Sequence, residues 1–423
     1  MVWIPFIYFS LLSYYFYKKA DNTISPAVVL CGFYVISSLM SILIDIRDLY
    51  GEYGTNPKEL SLSATFIYCA GLTAILIPFA RLKLSTTEFT LRNPRLFSIT
   101  CYFICACIAI YLFANFQDII HALVTDADEV KAEHYSVIGD NAERGSQALW
   151  MYLPNIFSSA WCLVLLCWFV SITFLKKNIL FNAMLLVSSF VGVLKGALIA
   201  GRSAIIYWIF CFAVYLIFFQ LYMPKSQRRK ILLGSLVPIG LIAVFFISIT
   251  ISRFAHNASE NSLDSFIGYA GQMYVNFCSV YENAKNLPFT IERIAPLAYR
   301  HILGQDFNLM DYYARLSADT GILVNVFYTL LGGLYMTIGG LGTFAYVGIF
   351  YFIASYICKK ITETCDFSYI ILLSIIVLVP IKGMFDVPFP STSDSLTIFI
   401  TIILCFIFKY SFIASPKTTN DKR

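Results

Sequence analysis

The sequence predicts an all-α polytopic membrane protein that forms a single integral membrane domain over residues 1–423. Of its 423 residues, 59% are hydrophobic and only 13% are charged, whereas about a quarter of the residues in a soluble domain are charged. Long apolar runs recur along the whole chain, and no internal repeat or low-complexity tract separates them. This composition excludes a nucleic-acid binder, a soluble multidomain enzyme and a disordered scaffold.

A helix that crosses a membrane needs about 20 mostly apolar residues. The first such run is followed by Lys18 and Lys19, whereas a cleaved signal peptide carries its cations in front, so we expect it to be retained as a span. We predict about eleven transmembrane helices (11–12), at 2–17, 26–44, 61–80, 97–116, 150–175, 179–200, 203–223, 231–251, 341–358, 368–386 and 395–413.

The distribution of charge predicts the orientation of these spans. An alternating path from an outside N-terminus leaves most of the 30 Lys and Arg residues inside and most of the 25 acidic residues outside. Lys and Arg are enriched in cytoplasmic loops. We therefore predict an outside N-terminus and a cytoplasmic C-terminus, with two long extracytoplasmic loops at about 117–149 and 252–320. Apolar residues from Phe266 to Val280 recur at helical spacing, which predicts a helix on the membrane surface or over the bundle.

The apolar stretch from Gly321 to Cys358 is long enough for two short spans. Two spans would place Lys359 and Lys360 outside and reverse the orientation of every later segment of the chain. We therefore predict a re-entrant or surface-lying helix at about 321–340, whose glycines allow a bend before the true span.

Two cations stand in or beside one predicted span. Lys195 lies within an apolar run, and Arg202 follows seven residues later at the outer end. Because seven residues are almost two helical turns, both project from one face, roughly 10 Å apart. An ionised lysine at the centre of a span costs about 2.5 to 3.5 kcal/mol, so we favour a pair that binds an anion over a lysine that snorkels to the headgroups.

A lysine and an aspartate stand four residues apart near the end of another predicted span. The spacing of Lys382 and Asp386 lets them pair on one helix face. An intrahelical ion pair needs no ligand, although a pair that faces a cavity can also hold an acid ready for catalysis, and both readings stay open.

The second long loop carries four arginines among a larger number of acids. Guanidinium groups bind phosphate oxygens in a forked geometry, and a histidine exchanges protons near neutral pH. Each arginine alone is more commonly solvated or in a structural ion pair. The four arginines together are therefore better evidence for a phosphate-binding site than any one of them. These residues are Arg253, Arg293, Arg300 and Arg315, with Glu292 and His301 adjoining two of them.

The sequence predicts neither a metal site nor a cofactor. Asp126 and Asp128 form a DxD triplet, but no histidine or further carboxylate stands at a clear ligand spacing. Most cysteines fall in or beside apolar runs, and Cys278 lies in the second loop without a partner there, which argues against a disulfide framework. A P-loop, GxSxG, HExxH and a dinucleotide fingerprint are absent from the sequence.

Two stretches resemble the Wzy-type O-antigen or capsular oligosaccharide repeat-unit polymerases, which are bacterial inner-membrane proteins of similar size with eleven or twelve spans and long periplasmic loops. Lys195 to Ile205 (KGALIAGRSAI) is similar to their Lys/Gly/Arg stretch between two central spans. Val324 to Tyr346 is similar to a segment with a Leu-Tyr and paired glycines. Many family members carry an Asp soon after that Leu-Tyr, but Met336 stands there in this chain, so no acidic role carries over.

The resemblance implies a GT-C-like bundle and a glycosyltransferase that joins a growing glycan on undecaprenyl diphosphate to the next lipid-linked repeat unit. Its partners would be lipid-linked oligosaccharide, membrane lipids and a chain-length regulator protein. Fixed cations would stabilise the departing diphosphate. The expected catalytic residues are Arg202, Arg300, His301, Glu282 and Glu292. The residues expected to bind diphosphate or sugar are Lys195, Arg202, Arg253, Arg293, Arg315, Tyr269, Tyr281, Tyr312, Lys382 and Asp386.

Three other classes of protein share some of these features. An O-antigen ligase stays open, because composition does not separate it from a polymerase. A flippase or transporter of lipid-linked oligosaccharide would carry charge through several spans and keep its loops short on both sides. An acyltransferase would place a histidine in a span, and all four histidines fall outside the predicted spans.

Overall fold

A computed structural model describes residues 1–125 except 54 and 83–87, 149–234 except 199, 200, 202 and 221, residue 240, 262–323 except 286, 288 and 305–308, and 326–411. Within these ranges the chain is predominantly helical and forms no named strand; an isolated backbone bridge joins Thr90 to Asp366.

The helices follow one another closely in sequence. In chain order they are α1 (Trp3–Lys19), α2 (Pro26–Arg47), α3 (Leu62–Leu76), α4 (Pro94–Ala114), α5 (Phe116–Val124), α6 (Tyr152–Ser158), α7 (Trp161–Val170), α8 (Ile179–Ser189), α9 (Val191–Ala197), α10 (Ser203–Phe219), α11 (Ser262–Asn283), α12 (Pro296–Ile302), α13 (Leu309–Thr320), α14 (Thr329–Thr364), α15 (Phe367–Ile370), α16 (Leu373–Ile376), α17 (Leu378–Lys382) and α18 (Thr392–Tyr410). Residues 225–234 are also helical.

Polar caps set where several helices begin. A Ser or Asn side chain accepts a hydrogen bond from a backbone N–H of the first turn, which would otherwise have no partner inside the helix. Proline at the start of α2 and α4 adds to this signal, since it has no N–H to satisfy. The capping residues are Ser25, Ser61, Asn93, Asn178 and Ser391.

Length and composition identify an all-α membrane protein. Six helices in the described ranges are long and apolar enough to cross a membrane, and a seventh is added if the bent pair α6 and α7, with its extension to Leu175, counts as one. Two shorter apolar helical stretches accompany them, Ser203–Phe219 and Phe367–Lys382. The count of eleven spans stays a prediction. The six are Pro26–Arg47, Leu62–Arg81, Pro94–Ala114, Ile179–Ala197, Thr329–Thr364 and Thr392–Tyr410.

Helix α11 lies inside the bundle, so its prediction as a surface-lying helix is wrong. Every residue from Gly271 to Val280 is buried, and the helix packs against α2, α3 and α14. A Cβ atom at Gly271 would come within 2.5 Å of the α2 backbone at Met40, so glycine permits this close approach. The side-chain amide of Asn276 donates within the protein, to the carbonyl of Phe327 at 2.9 Å.

Helix α14 changes direction at Gly339, where φ is 68° and ψ is 179°. A positive φ of this kind favours glycine, as the sequence suggested for a bend in this region. Before the bend, Leu331 and Leu334 are fully packed against the rest of the chain. The re-entrant placement of 321–340 stays a prediction, and residues 324 and 325 lie outside the described ranges.

Candidate functional site

Arg293 forms an ion pair with Asp386, on the segment that joins α17 to α18. Arg293 lies in the turn between α11 and α12, and only 2% of its side chain is exposed, against 29% for Asp386. The guanidinium also donates to the hydroxyls of Tyr328 and Tyr313, and the second of these bonds is 3.0 Å long. A buried charge needs such partners to offset its lost hydration.

Three tyrosine rings enclose the guanidinium. Its central carbon lies 5.6 Å from the ring centre of Tyr312, 5.3 Å from that of Tyr313 and 5.7 Å from that of Tyr328. Arginine over an aromatic face gains electrostatic attraction to the ring. The Nε atom of Arg293 is buried and has no hydrogen-bond partner. The guanidinium therefore retains one unused donor.

The segment that carries Asp386 is fixed by backbone contacts. Leu330 N donates to the carbonyl of Gly383 at 2.6 Å, and Tyr328 N donates to that of Phe385 at 3.3 Å. Between these bonds Thr329 adopts φ 63°, a left-handed conformation that is unfavourable for a β-branched residue. The start of α14 thus holds both Tyr328 and the Asp386 segment in place.

The Asp386 carboxylate accepts hydrogen bonds from Arg293 and, at 2.6 Å, from the backbone N–H of Val387. Burial raises the pKa of Asp386 above that of an ordinary aspartate, while Arg293 and the Val387 N–H oppose part of this rise. A partly exposed carboxylate with a raised pKa is suited to accept a proton.

The predicted pairing of Lys382 with Asp386 is wrong. The ammonium of Lys382 instead pairs with Asp394 at 3.3 Å. Helix α17 ends at Lys382, so Asp386 is not on the next turn of the same helix, and Arg293 takes it as a partner. Asp394 in turn accepts from Ser391 at 2.8 Å, within the cap that begins α18.

Lys195 lies close to this second ion pair. Its ammonium donates to the hydroxyls of Ser158 at 3.3 Å and Ser159 at 3.1 Å and lies 5.9 Å from the ring centre of Tyr111. Its electrostatic neighbours are Asp394, which attracts it, and Lys382, which repels it. Asp394 is therefore the ion-pair partner of Lys382 and also attracts Lys195.

The hydroxyls that hold Lys195 lie where a helix breaks. The axes of α6 and of the Trp161–Leu175 helix meet at 65°, with Ser158, Ser159 and Ala160 at the junction. The junction also adjoins a small cavity lined by Ser159, Asp394 and Thr397. The carbonyl end of α6 attracts a cation, which adds to the stabilisation of Lys195.

Tyr207 lies near both the Arg293–Asp386 pair and the Lys382–Asp394 pair. It is half-buried on α10, and both Asp386 and Asp394 act on it electrostatically. Its ring centre lies 5.7 Å from that of Phe385. Tyr269, predicted to bind sugar, packs against Phe327 and Phe385 in the same region. The segment from Lys382 to Asp394 thus brings both groups into one region.

Two predicted proton acceptors are already engaged in ion pairs. Glu292 is buried and binds Arg315 through both carboxylate oxygens, at 3.2 and 3.1 Å. Glu282 accepts from Ser61 at 2.7 Å and pairs with Lys285 at 2.8 Å, and these bonds lower its pKa. Glu282, with its lowered pKa, is therefore a weaker candidate for a base than Asp386, whereas Glu292, like Asp386, is held by an arginine.

Other predicted residues lie apart from these groups or outside the described ranges. Tyr281 contacts Tyr335 and Lys285. Arg300 is exposed on α12. The helix that carries Lys195 ends at Ala197, before Arg202, so the predicted shared face of one continuous helix is wrong. Arg202 and Arg253 lie outside the described residues, as do Asp126 and Asp128, and nothing is described of the His301 side chain. Within the described part of the chain no cluster of His, Cys, Asp and Glu could hold a metal ion.

Asp394 is a functional candidate that the sequence analysis missed. It could have been found as the fourth residue of a Ser-Thr-Ser-Asp start to α18, a pattern typical of helix caps. Comparisons with protein families, with curated proteins and with solved structures found no match for this chain.

Proposed function

We propose that the protein is a glycosyltransferase of the bacterial inner membrane that polymerises undecaprenyl-diphosphate-linked oligosaccharide repeat units at the periplasmic face. The observation that carries this proposal is the charge imbalance around Asp394. Lys195 and Lys382 are both largely buried, and Asp394 is the carboxylate that pairs with Lys382 and also attracts Lys195. A buried cation without full compensation favours an anionic ligand, and a diphosphate is such a ligand.

The proposed reaction is a displacement at the anomeric carbon of the donor sugar. A hydroxyl oxygen of the incoming lipid-linked unit forms a bond to this carbon, and the bond from the carbon to the diphosphate oxygen breaks. The electron pair leaves with undecaprenyl diphosphate. Lys195 and Lys382 stabilise the charge that develops there. Arg202, seven residues after Lys195, stays a candidate for the same role.

The proton of the attacking hydroxyl requires an acceptor, and we assign that role to Asp386. Its raised pKa makes it a stronger base than an exposed aspartate. Arg293 holds the carboxylate in one orientation through the ion pair. Tyr269 and the tyrosines around Arg293 provide ring faces and hydroxyls that suit sugars.

A transporter of lipid-linked oligosaccharide is the second candidate. The 65° break between α6 and the following helix favours it, because broken helices beside buried charge are typical of transporters. The two functions differ in their products: a polymerase breaks a sugar–diphosphate bond, whereas a transporter leaves its substrate intact.

The test is reconstitution of the full chain in liposomes with undecaprenyl-diphosphate-linked repeat units on the outer leaflet. A polymerase should release undecaprenyl diphosphate and extend the glycan, with or without a chelator present. A lipid A core acceptor added in a parallel sample detects a ligase. Intact substrate on the opposite leaflet would indicate a transporter and contradict the proposal.

A further inference from the structure

A large apolar groove runs along α18 and is separate from the polar residues described above. Its volume is about 550 Å³, and its walls come from α14, from the α15 to α17 stretch and from α18. Its lining extends along α18 from Ser395 to Lys409, roughly 21 Å at 1.5 Å per residue. One leaflet of a bilayer is about 15 Å deep, so the groove is long enough for a lipid chain.

The two ends of the groove differ in charge. At the Ser395 end Phe389 lines the groove and lies 5.8 Å from Lys382, a lysine that is already paired with Asp394. Lys195, which this carboxylate also attracts, does not line the groove. No described lysine lines the groove at this end.

Lys409 closes the other end. Its ammonium donates to the Tyr369 hydroxyl at 3.3 Å and lies 5.4 and 5.6 Å from the ring centres of Tyr369 and Tyr410. Among the described residues no carboxylate forms an ion pair with it. Asp366 caps the neighbouring helix α15, where its carboxylate accepts a hydrogen bond from the backbone N–H of Ser368. Within the part of the chain that the structure describes, Lys409 therefore offers a positive charge without an ion-pair partner beside the apolar groove.

We propose that this groove binds one acyl chain of an anionic phospholipid whose net negative headgroup charge is attracted to Lys409. Charge complementarity selects the headgroup, and apolar contact with residues such as Ile402 and Phe406 holds the chain. Basic pockets between membrane helices on the cytoplasmic side bind anionic headgroups in this way. The proposal does not depend on the enzymatic function, since none of the polar residues assigned to catalysis line the groove.

Native mass spectrometry of the purified, delipidated full chain tests this inference. The probes are phosphatidylglycerol and phosphatidylcholine with identical acyl chains. We expect one phosphatidylglycerol to bind in preference to phosphatidylcholine. Lys409→Met should weaken phosphatidylglycerol about fivefold and leave phosphatidylcholine unchanged, while Lys409→Arg should keep the preference because the charge is retained.

Two substitutions on α18 test the groove itself. Ile402→Trp fills the groove and should abolish binding of both lipids, whereas Ile403→Trp, one residue away and outside the lining, should bind as the unchanged chain does. Lys359→Met removes an exposed lysine that pairs with Glu363 and does not line the groove, and it should also have no effect.

Three results would overturn the inference. Equal binding of the two phospholipids by the unchanged chain would show that headgroup charge does not determine binding. A Lys409→Met variant that keeps the full preference for phosphatidylglycerol would show that Lys409 does not recognise the headgroup. Undecaprenyl phosphate that displaces phosphatidylglycerol and loses its own binding in Ile402→Trp would identify the carrier lipid as the occupant.

Discussion

The guanidinium of Arg293 is paired with the carboxylate of Asp386, 93 residues further along the chain. The pair joins the turn before α12 to the segment after α17, two parts of the chain that share no secondary structure. Tyr328, Tyr313 and the backbone of Val387 supply the remaining hydrogen bonds. The pair therefore both closes this part of the fold and orients the carboxylate proposed as a base.

Removal of Arg293 should destabilise the protein. Arg293→Met leaves a partly buried carboxylate without its partner, which costs about 3 to 5 kcal/mol. Arg293→Lys should recover part of this loss, because it restores the charge but not the forked hydrogen bonds or the aromatic contacts. Thermal unfolding in detergent measures both. Arg300→Met is the control on an exposed arginine of the next helix, and equal losses in the two methionine variants would contradict a special role for Arg293.

Asp386 should make stability fall as pH rises. The folded state raises the pKa of Asp386, so the folded chain binds this proton more tightly than the unfolded chain does. The free energy of unfolding therefore falls as pH rises from about 3.9, the ordinary aspartate value, through the raised value. Asp386→Asn lacks this proton, and its unfolding temperature should show no such fall. Parallel pH profiles for the two proteins would contradict the raised pKa.

Asp394 should be more costly to lose alone than together with Lys382. Asp394→Asn leaves two ammonium groups close together without a carboxylate, so we expect destabilisation of about 3 to 5 kcal/mol. Adding Lys382→Met removes one of these charges. The double variant should then be more stable than the sum of the two single changes by about 0.5 to 3 kcal/mol. Additive losses would show that the ion pair is not formed.

The orientation predicted from charge is testable by cysteine labelling. The twelve native cysteines are all buried, and a variant without them has no native thiol that the reagent could label. A cysteine in place of the exposed Lys285 should react with an impermeant thiol reagent in whole cells, and one in place of the exposed Arg228 should not. The opposite pattern would place the proposed site on the cytoplasmic face.

The sequence predicted the fold class but not how individual segments are placed. Composition alone identified an all-α membrane protein, because a chain with so little charge and so many long apolar runs cannot cover its surface with polar groups in water. The surface placement of α11 was wrong because the helical spacing of its apolar residues does not show whether its polar residues, among them Gln272 and Asn276, meet water or protein. Both are buried and hydrogen-bonded to each other and to Phe327, which sequence hydropathy does not reveal.

The candidate site was predicted in part. Lys195, Lys382 and Asp386 were singled out because ionisable residues within or beside apolar runs are costly without a function or a partner. Arg293 was singled out as one of the arginines of the second loop. Their pairing was not predictable from local spacing. Lys382 and Asp386 are four residues apart, yet the end of α17 separates them and each finds a distant partner.

The most direct test of the proposed function is the Lys195→Met variant in a purified assay on lipid-linked repeat units, with thermal unfolding measured in parallel. Methionine fills a similar volume and removes the cost of a buried charge, so the variant should unfold at the same temperature or higher. If the ammonium stabilises the departing diphosphate, polymerisation should be lost, and Lys195→Arg should retain part of it because the charge survives. A stable Lys195→Met variant that polymerises at the native rate would contradict the proposed role of this lysine.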